Sequence, residues 1–446
     1  MPANSHEPTY NLKVVVQETG LKPDTLRAWE RRYGLPHPDR TSGGHRLYSQ
    51  RDIDMLKWLV ARQDEGMSIS RAAELWARLT EEGRDPLQLE VGSIPLVRPA
   101  VVSPSGDVVE TLRQEWVAAC LDFNEVKAEQ SLNQGFALYP VETVCLELLL
   151  KGLAEIGNRW YEGEISVQQE HFASELAMRR IESLLTASPL PTRFERILIG
   201  CPPEEEHTFS PLLLTLFLRR RGWDVLYLGA NVPVARLKAT INTVKPALVI
   251  LTAQQLITAA NLLEMSRVLA ALRIPLAYGG FIFNRLPELK SRIPGHFLGE
   301  QLDEAVPRIE QWLTSTGRFQ PVEATNPVSE RYQEALAHFR QKQAIIEADV
   351  WQALRDAKLP PSCLNDNNEY VAHGVSAALT LGDLNYLDVD VTWGEGLLRH
   401  YALPPDVLRR YLQIYYRAAV AHLDERGQPI MTWLAQFIDK RVNHQS

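Results

Sequence analysis

Cysteine is scarce in this sequence. Its 446 residues hold four, Cys120, Cys145, Cys201 and Cys363, far apart and with no Cys-x-x-Cys pair. That scatter excludes a disulfide framework and a paired-cysteine zinc site, and it reads as free thiols in a reducing compartment. No uninterrupted apolar run is long enough to span a bilayer, and no secretory signal pattern opens the chain, so the sequence reads as cytoplasmic with no membrane partner. Nor is there a general excess of positive charge. A net charge of -8 would argue against nucleic acid if it were evenly spread, but from Asn11 to Arg62 ten Lys and Arg stand against six Asp and Glu. The chain is a basic head on an acidic body.

What is present fits a folded multidomain protein. Apolar residues make up 45% and charged residues 23%, and the length exceeds what one ordinary core supports. Two stretches with little helical periodicity read as linkers: one from about Asp85 to Asp107, carrying Pro86, Pro95, Pro99 and Pro104, and one from Thr314 to Val328. They predict a head over residues 8–80, helices over 106–190, an α/β domain over 194–316, and an all-α domain over 328–442. In the third segment the short β-rich runs "RILIG", "DVLYLG", "ALVILTA" and "IPLAYGG" alternate with helical stretches, the pattern of a parallel, doubly wound sheet.

In the head, "NLKVVVQETGLKPDTLRAWERRYGL" reads as helix, turn at Gly20, and a second helix opening at Lys22-Pro23-Asp24. That helix brings Arg27, Arg31 and Arg32 near one side, with Trp29 as its anchor, which suits entry into the major groove. The run Gly43-Gly44-His45-Arg46-Leu47-Tyr48 then reads as a β-turn wing that presents Arg46 and Tyr48 to the DNA backbone. The whole run, residues 10 to about 77, resembles the winged helix-turn-helix of the MerR regulator family. The resemblance implies an inverted-repeat operator gripped by paired copies. The cysteines by which metal-sensing members hold their ions just beyond this domain are absent.

After the first strand of the α/β segment comes "CPPEEEHTFSP". His207 therefore falls outside the carboxyl end of a strand, where doubly wound sheets bind ligands. Glu205, two residues earlier, can hold one ring nitrogen and leave the other for a metal. The run Glu205-x-His207-x-x-Ser210, then 41 residues, Thr252-Ala253-Gln254, then 24 residues and Gly279-Gly280 resembles the cobalamin-binding fold, whose pattern is Asp-x-His-x-x-Gly, Ser-x-Leu and Gly-Gly. It departs from that pattern at Ser210 and Pro211, where a side chain and a locked φ replace a permissive glycine, and at Gln254, whose amide needs a partner if buried.

The helical segment before it carries Trp160 and, after nine residues, Glu170-His171. That spacing, in a chain with a MerR head before it and a corrinoid fold after it, resembles the light-responsive CarH and LitR repressors. There a four-helix cap lies over the corrin. The resemblance implies that Trp160 packs over the 5'-deoxyadenosyl group of adenosylcobalamin, that Glu170 contacts that group, and that His171 lies near the cobalt. It also implies that His207 and His171 are the two metal ligands. The function expected is a non-enzymatic, homo-oligomeric repressor controlled by bound cobalamin and gated by light. The alternatives are a corrinoid or other tetrapyrrole sensor without a light response, and a methyl-carrier module of a methyltransferase system, against which the DNA-binding head argues. The resemblance stops near residue 315. The tail reads as a compact helical domain not needed for cobalamin binding, its role open between a second-chromophore pocket, an interaction surface and a brake on assembly.

Overall fold

A computed structural model of the chain describes residues 8–40, 44, 46–64, 69–81, 85–87, 107–314, 320–356, 365–400 and 407–442. They fall into two compact units, divided between Val102 and Ser103. Most of the first expected linker, the start of the second, Cys363, and Gly43 and His45 of the wing turn lie outside the described residues.

The first unit runs β1 (Tyr10–Asn11), α1 (Leu12–Thr19), α2 (Pro23–Tyr33), β2 (Asp39–Arg40), β3 (Arg46–Tyr48), α3 (Gln50–Asp64) and α4 (Ile69–Glu81). Asn11 caps α1, its side-chain oxygen accepting the N–H groups of Lys13 and Val14, two of the four that a helix start leaves without partners. Pro23 opens α2, where a missing N–H costs nothing. Leu26 and Trp29, three apart on one face, are buried in a core with Val15, Tyr48, Ile53, Leu56 and Trp58. The strands pair antiparallel in the order β1-β3-β2, so the helix-turn-helix and the strand pair of its wing both form.

The second unit begins with α5 (Asp107–Leu121), α6 (Glu125–Leu138), α7 (Val141–Thr143) continuing through a π-helical stretch into α8 (Lys151–Tyr161), and α9 (Val167–Thr186). These helices close on Trp116, Leu132, Leu148, Ile156 and Leu176. Then follow β4 (Arg196–Gly200), α10 (Phe209–Arg220), β5 (Asp224–Tyr227), α11 (Leu237–Val244), β6 (Leu248–Thr252), α12 (Leu256–Ala271), β7 (Leu276–Gly279), α13 (Ile282–Arg285), β8 (His296–Phe297) and α14 (Leu302–Thr314). The five strands are parallel, in the order β5-β4-β6-β7-β8. Alternate residues serve opposite faces. Ile197, Ile199, Leu248 and Ile250 join the core of α5–α10 and α14, while Leu198, Val249 and Leu251 join that of α11 and α12. Burial on both faces explains why the strands read as unbroken apolar runs.

The tail is α15 (Glu330–Asp356), α16 (Asn365–Leu381), α17 (Leu387–His400), α18 (Val407–His422) and α19 (Gln428–Val442). Its packing corrects the expectation of a self-contained domain. Phe339, Ile346, Ala378, Leu379 and Tyr415 share one continuous core with Leu256, Leu262, Leu263 and Leu269 of α12. The segment leading into it is pinned as well, Arg292 donating to the carbonyls of Asn326 at 2.9 Å and Pro327 at 3.1 Å. Among the described residues no helix is long and apolar enough to cross a membrane.

Candidate cofactor site and nucleic-acid interface

In this strand order, chain connections leave β4 and β6 in opposite directions, and the crevice outside their carboxyl ends is where such sheets hold ligands. The loop after β4 carries Glu205, 0% exposed. Its Oε1 accepts from the His207 N–H at 3.0 Å and lies 2.6 Å from His207 Nδ1. Its Oε2 accepts from the Gln254 N–H at 2.7 Å and the Thr258 hydroxyl at 2.6 Å. Glu205 therefore joins the end of β4 to the turn between β6 and α12, across the crevice. Burial pushes its carboxyl up, but the bonds from His207, Thr258 and Gln254 outweigh that and hold it below its usual range. The hydrogen bond to Glu205 raises His207 against the opposing effect of burial, and the charges of Glu205, Glu170 and Glu206 add to it. The His207 side chain is 60% exposed although its carboxylate partner is buried. One ring nitrogen is committed to Glu205 and the ring is largely exposed, an arrangement compatible with an orienting carboxylate behind a ligating imidazole.

The other motif positions explain themselves locally. Ser210 and Pro211 lie in the first turn of α10, where Pro211 is buried and its missing N–H would have had no intrahelical partner. Gln254 is satisfied, its Oε1 accepting from the Phe281 N–H at 2.8 Å. Thr252 is buried, with its hydroxyl 3.7 Å from the Cys201 thiol. Gly280 has φ +125°, and a Cβ there would lie 1.9 Å from the Ala253 carbonyl oxygen, whereas a Cβ at Gly279 would meet only ordinary contacts. The second glycine of the pair is thus the one the backbone demands. Cys120, Cys145 and Cys201 are buried free thiols; burial pushes the first two up to about 12 and Cys201 up to about 11.

In the cap, α9 opens with a capping box in which Ser166 and Gln169 satisfy each other's backbone, and Gln169 Nε2 also reaches the Leu121 carbonyl at 2.8 Å. This fixes Glu170 and His171 in the first turn. Glu170 Oε1 accepts from Ser174 at 2.7 Å and Oε2 lies 2.6 Å from His171 Nδ1. The His171 side chain is 73% exposed. Trp160 stands half-buried in the last turn of α8. The Glu170 charge contributes to raising His207, after the hydrogen bond and charge of Glu205. Thr258 carries no sequence spacing that marks it, and sequence reasoning passed over it.

In the head, Arg31 and Arg32 are exposed, and Arg27 pairs with Asp24 at 3.0 Å on the surface. In the wing, Tyr48 corrects the expectation and Arg46 has a partner within the head. Arg46 donates through Nε to Glu30 Oε2 at 2.9 Å and through Nη2 to Oε1 at 3.3 Å; it ties β3 to α2. Tyr48 is 1% exposed and burial raises its hydroxyl pKa. It is a core residue and does not face a phosphate backbone.

Comparison with known proteins follows this division. Residues 10–79 match the family described as MerR HTH family regulatory protein, and residues 112–185, within α5–α9, match the one described as B12 binding domain. Over 243 residues the chain is 35% identical to the HTH-type transcriptional repressor CarH of Myxococcus xanthus, covering 54% of this chain and 77% of that protein. Over 248 residues it is 32% identical to the repressor CarA of the same organism, covering 55% and 76%. Among solved structures, the monomethylamine corrinoid protein of Methanosarcina barkeri aligns with 46% of this chain and 98% of its own, at 15% identity and a TM-score of 0.39.

Proposed function

The chain belongs to the family of HTH-type transcriptional repressors that includes CarH and CarA, and from that premise we propose that it is a repressor controlled by adenosylcobalamin and gated by light. It carries a MerR helix-turn-helix and a B12-binding domain. The observation that carries the finer reading is the buried Glu205 holding His207 at the β4–β6 crevice.

The residues present fit a corrinoid. His207, with Nδ1 held by Glu205, would hold the cobalt through its other ring nitrogen. Trp160 offers a flat apolar face to exclude water above, and Glu170 offers acceptors for ribosyl hydroxyls. Adenosylcobalamin, when bound, supplies a cobalt–carbon bond that visible light cleaves. His171 is mostly exposed and bonded to its neighbour Glu170, so its ring could turn without unpacking a core and would be the residue to hold the metal from the cap side. A change at Trp160 and His171 acts on the ends of α8 and α9, which converts a ligand event into a packing change at whatever subunit surface the cap forms. In this reading the dark form is the DNA-binding homo-oligomer. Pairing two heads on an inverted-repeat operator makes the second contact intramolecular and tightens the grip.

The test is the absorption spectrum, size-exclusion elution and band shift of the purified chain with adenosylcobalamin, in the dark and after green light. Light should break a dark oligomer into smaller species that release the operator. Demonstrated photolysis with unchanged elution and affinity would reduce the protein to a corrinoid sensor without a light response. His207→Ala should bind cobalamin more weakly and with the spectrum of a form lacking the protein base; an unchanged spectrum removes His207 as the ligand.

A further inference from the structure

The tail helices contact the chain beside the candidate site at two places, the end of α8 and the β4 loop. On the cap side the Tyr161 ring stacks on Trp393 of α17, centroids 6.4 Å apart and planes 16° from parallel. The Tyr161 hydroxyl also donates to the Trp393 carbonyl at 3.4 Å. The backbone of α17 lies so close that a Cβ at Gly396 would stand 1.9 Å from the Tyr161 hydroxyl oxygen and 2.2 Å from its ring. On the sheet side, His373 of α16 faces Glu204 with Nδ1 3.8 Å from Oε2. Tyr161 directly follows Trp160 and Glu204 directly precedes Glu205, so each tail contact sits one residue from a site residue.

We infer that the α16–α17 arm is a gate on the cofactor crevice, a role that rests on the cobalamin reading above. By holding the tip of α8 and the β4 loop at once, the arm fixes the distance between cap and sheet edge. A broad, flat macrocycle passes between those walls only when the bridge lets go, and the cap shifts only then. The bridge is built to open without unfolding what lies behind it. One ring stack and one long hydrogen bond hold its cap end, whereas Phe339, Ile346, Ala378 and Tyr415 anchor the tail in a core that excludes Tyr161. Gly396 is what permits the close contact, since any side chain there collides with the ring.

The experiment uses the full chain and the variants Gly396→Ala, Tyr161→Ala and the two combined. Hydrogen exchange is followed in cofactor-free protein over the end of α8 and the start of α9, and uptake of adenosylcobalamin is followed by stopped-flow absorbance in the dark. Opening the gate should speed exchange at the α8 tip and accelerate uptake at least fivefold, with exchange in α12 and α15 unchanged. The combined variant should match Tyr161→Ala alone, because the added methyl group then has room. Faster exchange with wild-type uptake rates would make the contact merely structural and overturn the gate, as would unchanged exchange. If Gly396→Ala unfolds α17, Tyr161→Ala decides the question, since it alters only the cap side. Failure of the wild-type chain to take up cobalamin would instead sink the function proposed above, and the gate with it.

Discussion

The Thr258 hydroxyl and the Glu205 carboxylate meet at 2.6 Å although 53 residues separate them. Thr258 also touches the Gln255 carbonyl, at the longer distance of 3.0 Å, so its single proton is best spent on the buried charge. Removing it leaves Glu205 Oε2 with the Gln254 N–H alone. A hydrogen bond to a charged group contributes about 1.5–3 kcal/mol. Thr258→Val should therefore lower the melting temperature and weaken cobalamin retention about tenfold by loosening His207, and Thr258→Ser should restore both. Retention equal to wild type in Thr258→Val, by equilibrium dialysis, would show that Glu205 orients His207 without this anchor.

The head separates surface from core arginines and tyrosines. Arg31→Ala and Arg32→Ala should each weaken operator binding while leaving the fold unchanged. Each lost phosphate contact should flatten the logarithmic salt dependence by about 0.9. Tyr48→Ala should instead unfold the head, since truncating a buried aromatic costs about 3–5 kcal/mol. Circular dichroism melts and a salt-titrated band shift distinguish the two outcomes; a Tyr48→Ala head that melts normally but fails on DNA would return Tyr48 to the interface.

Asp390, on α17, gives the arm a pH dependence. Burial pushes its carboxyl up to about 6, with the Arg285 charge opposing, and the Tyr370 hydroxyl of α16 lies in its field. The folded arm holds the proton more tightly than the unfolded chain does. The stability this contributes is complete below the ordinary carboxylate range and is lost as pH rises through about 6. Asp390→Asn should stabilise the fold at pH 8 by an amount on the order of 3 kcal/mol, seen as a higher melting temperature, and change it little at pH 4. A gain that is the same at both pH values would mean the effect is not ionisation.

Truncation after Gly317 tests the shared core. It strips α15–α19 from α12 and exposes Leu263 and its neighbours, which pack against the tail in one apolar cluster. The truncated chain should aggregate or lose cooperative melting. A soluble truncation that melts sharply and retains cobalamin would show that α12 needs only the sheet.

Helix starts and strands were readable because they depend on neighbours: Asn11 before α1, Pro23 in α2, Ser166 before α9 with Gln169 in its first turn, and apolar runs for strands buried on two faces. One signal was present and passed over. The sequence of α12, "LITAANLLEMSRVLAA", is apolar over most of its circumference outside the polar stripe of Asn261, Glu264 and Arg267, and so broad an apolar face already asks for cover beyond the sheet.

What the sequence determined by itself is therefore the order of modules, the strand-end position of His207 and the capped start that places Glu170 and His171. Each follows from local periodicity, capping and the rule that parallel strands alternate with helices. The tertiary structure alone decided that Tyr48 points inward, that Arg46 serves Glu30, that Thr258 anchors Glu205, and that Trp393 meets Tyr161. In a three-residue strand, alternation puts Arg46 and Tyr48 on one face without saying which way that face turns. The other pairings join residues from 16 to 232 positions apart, and their geometry comes from how whole surfaces pack, which no short stretch of chain encodes.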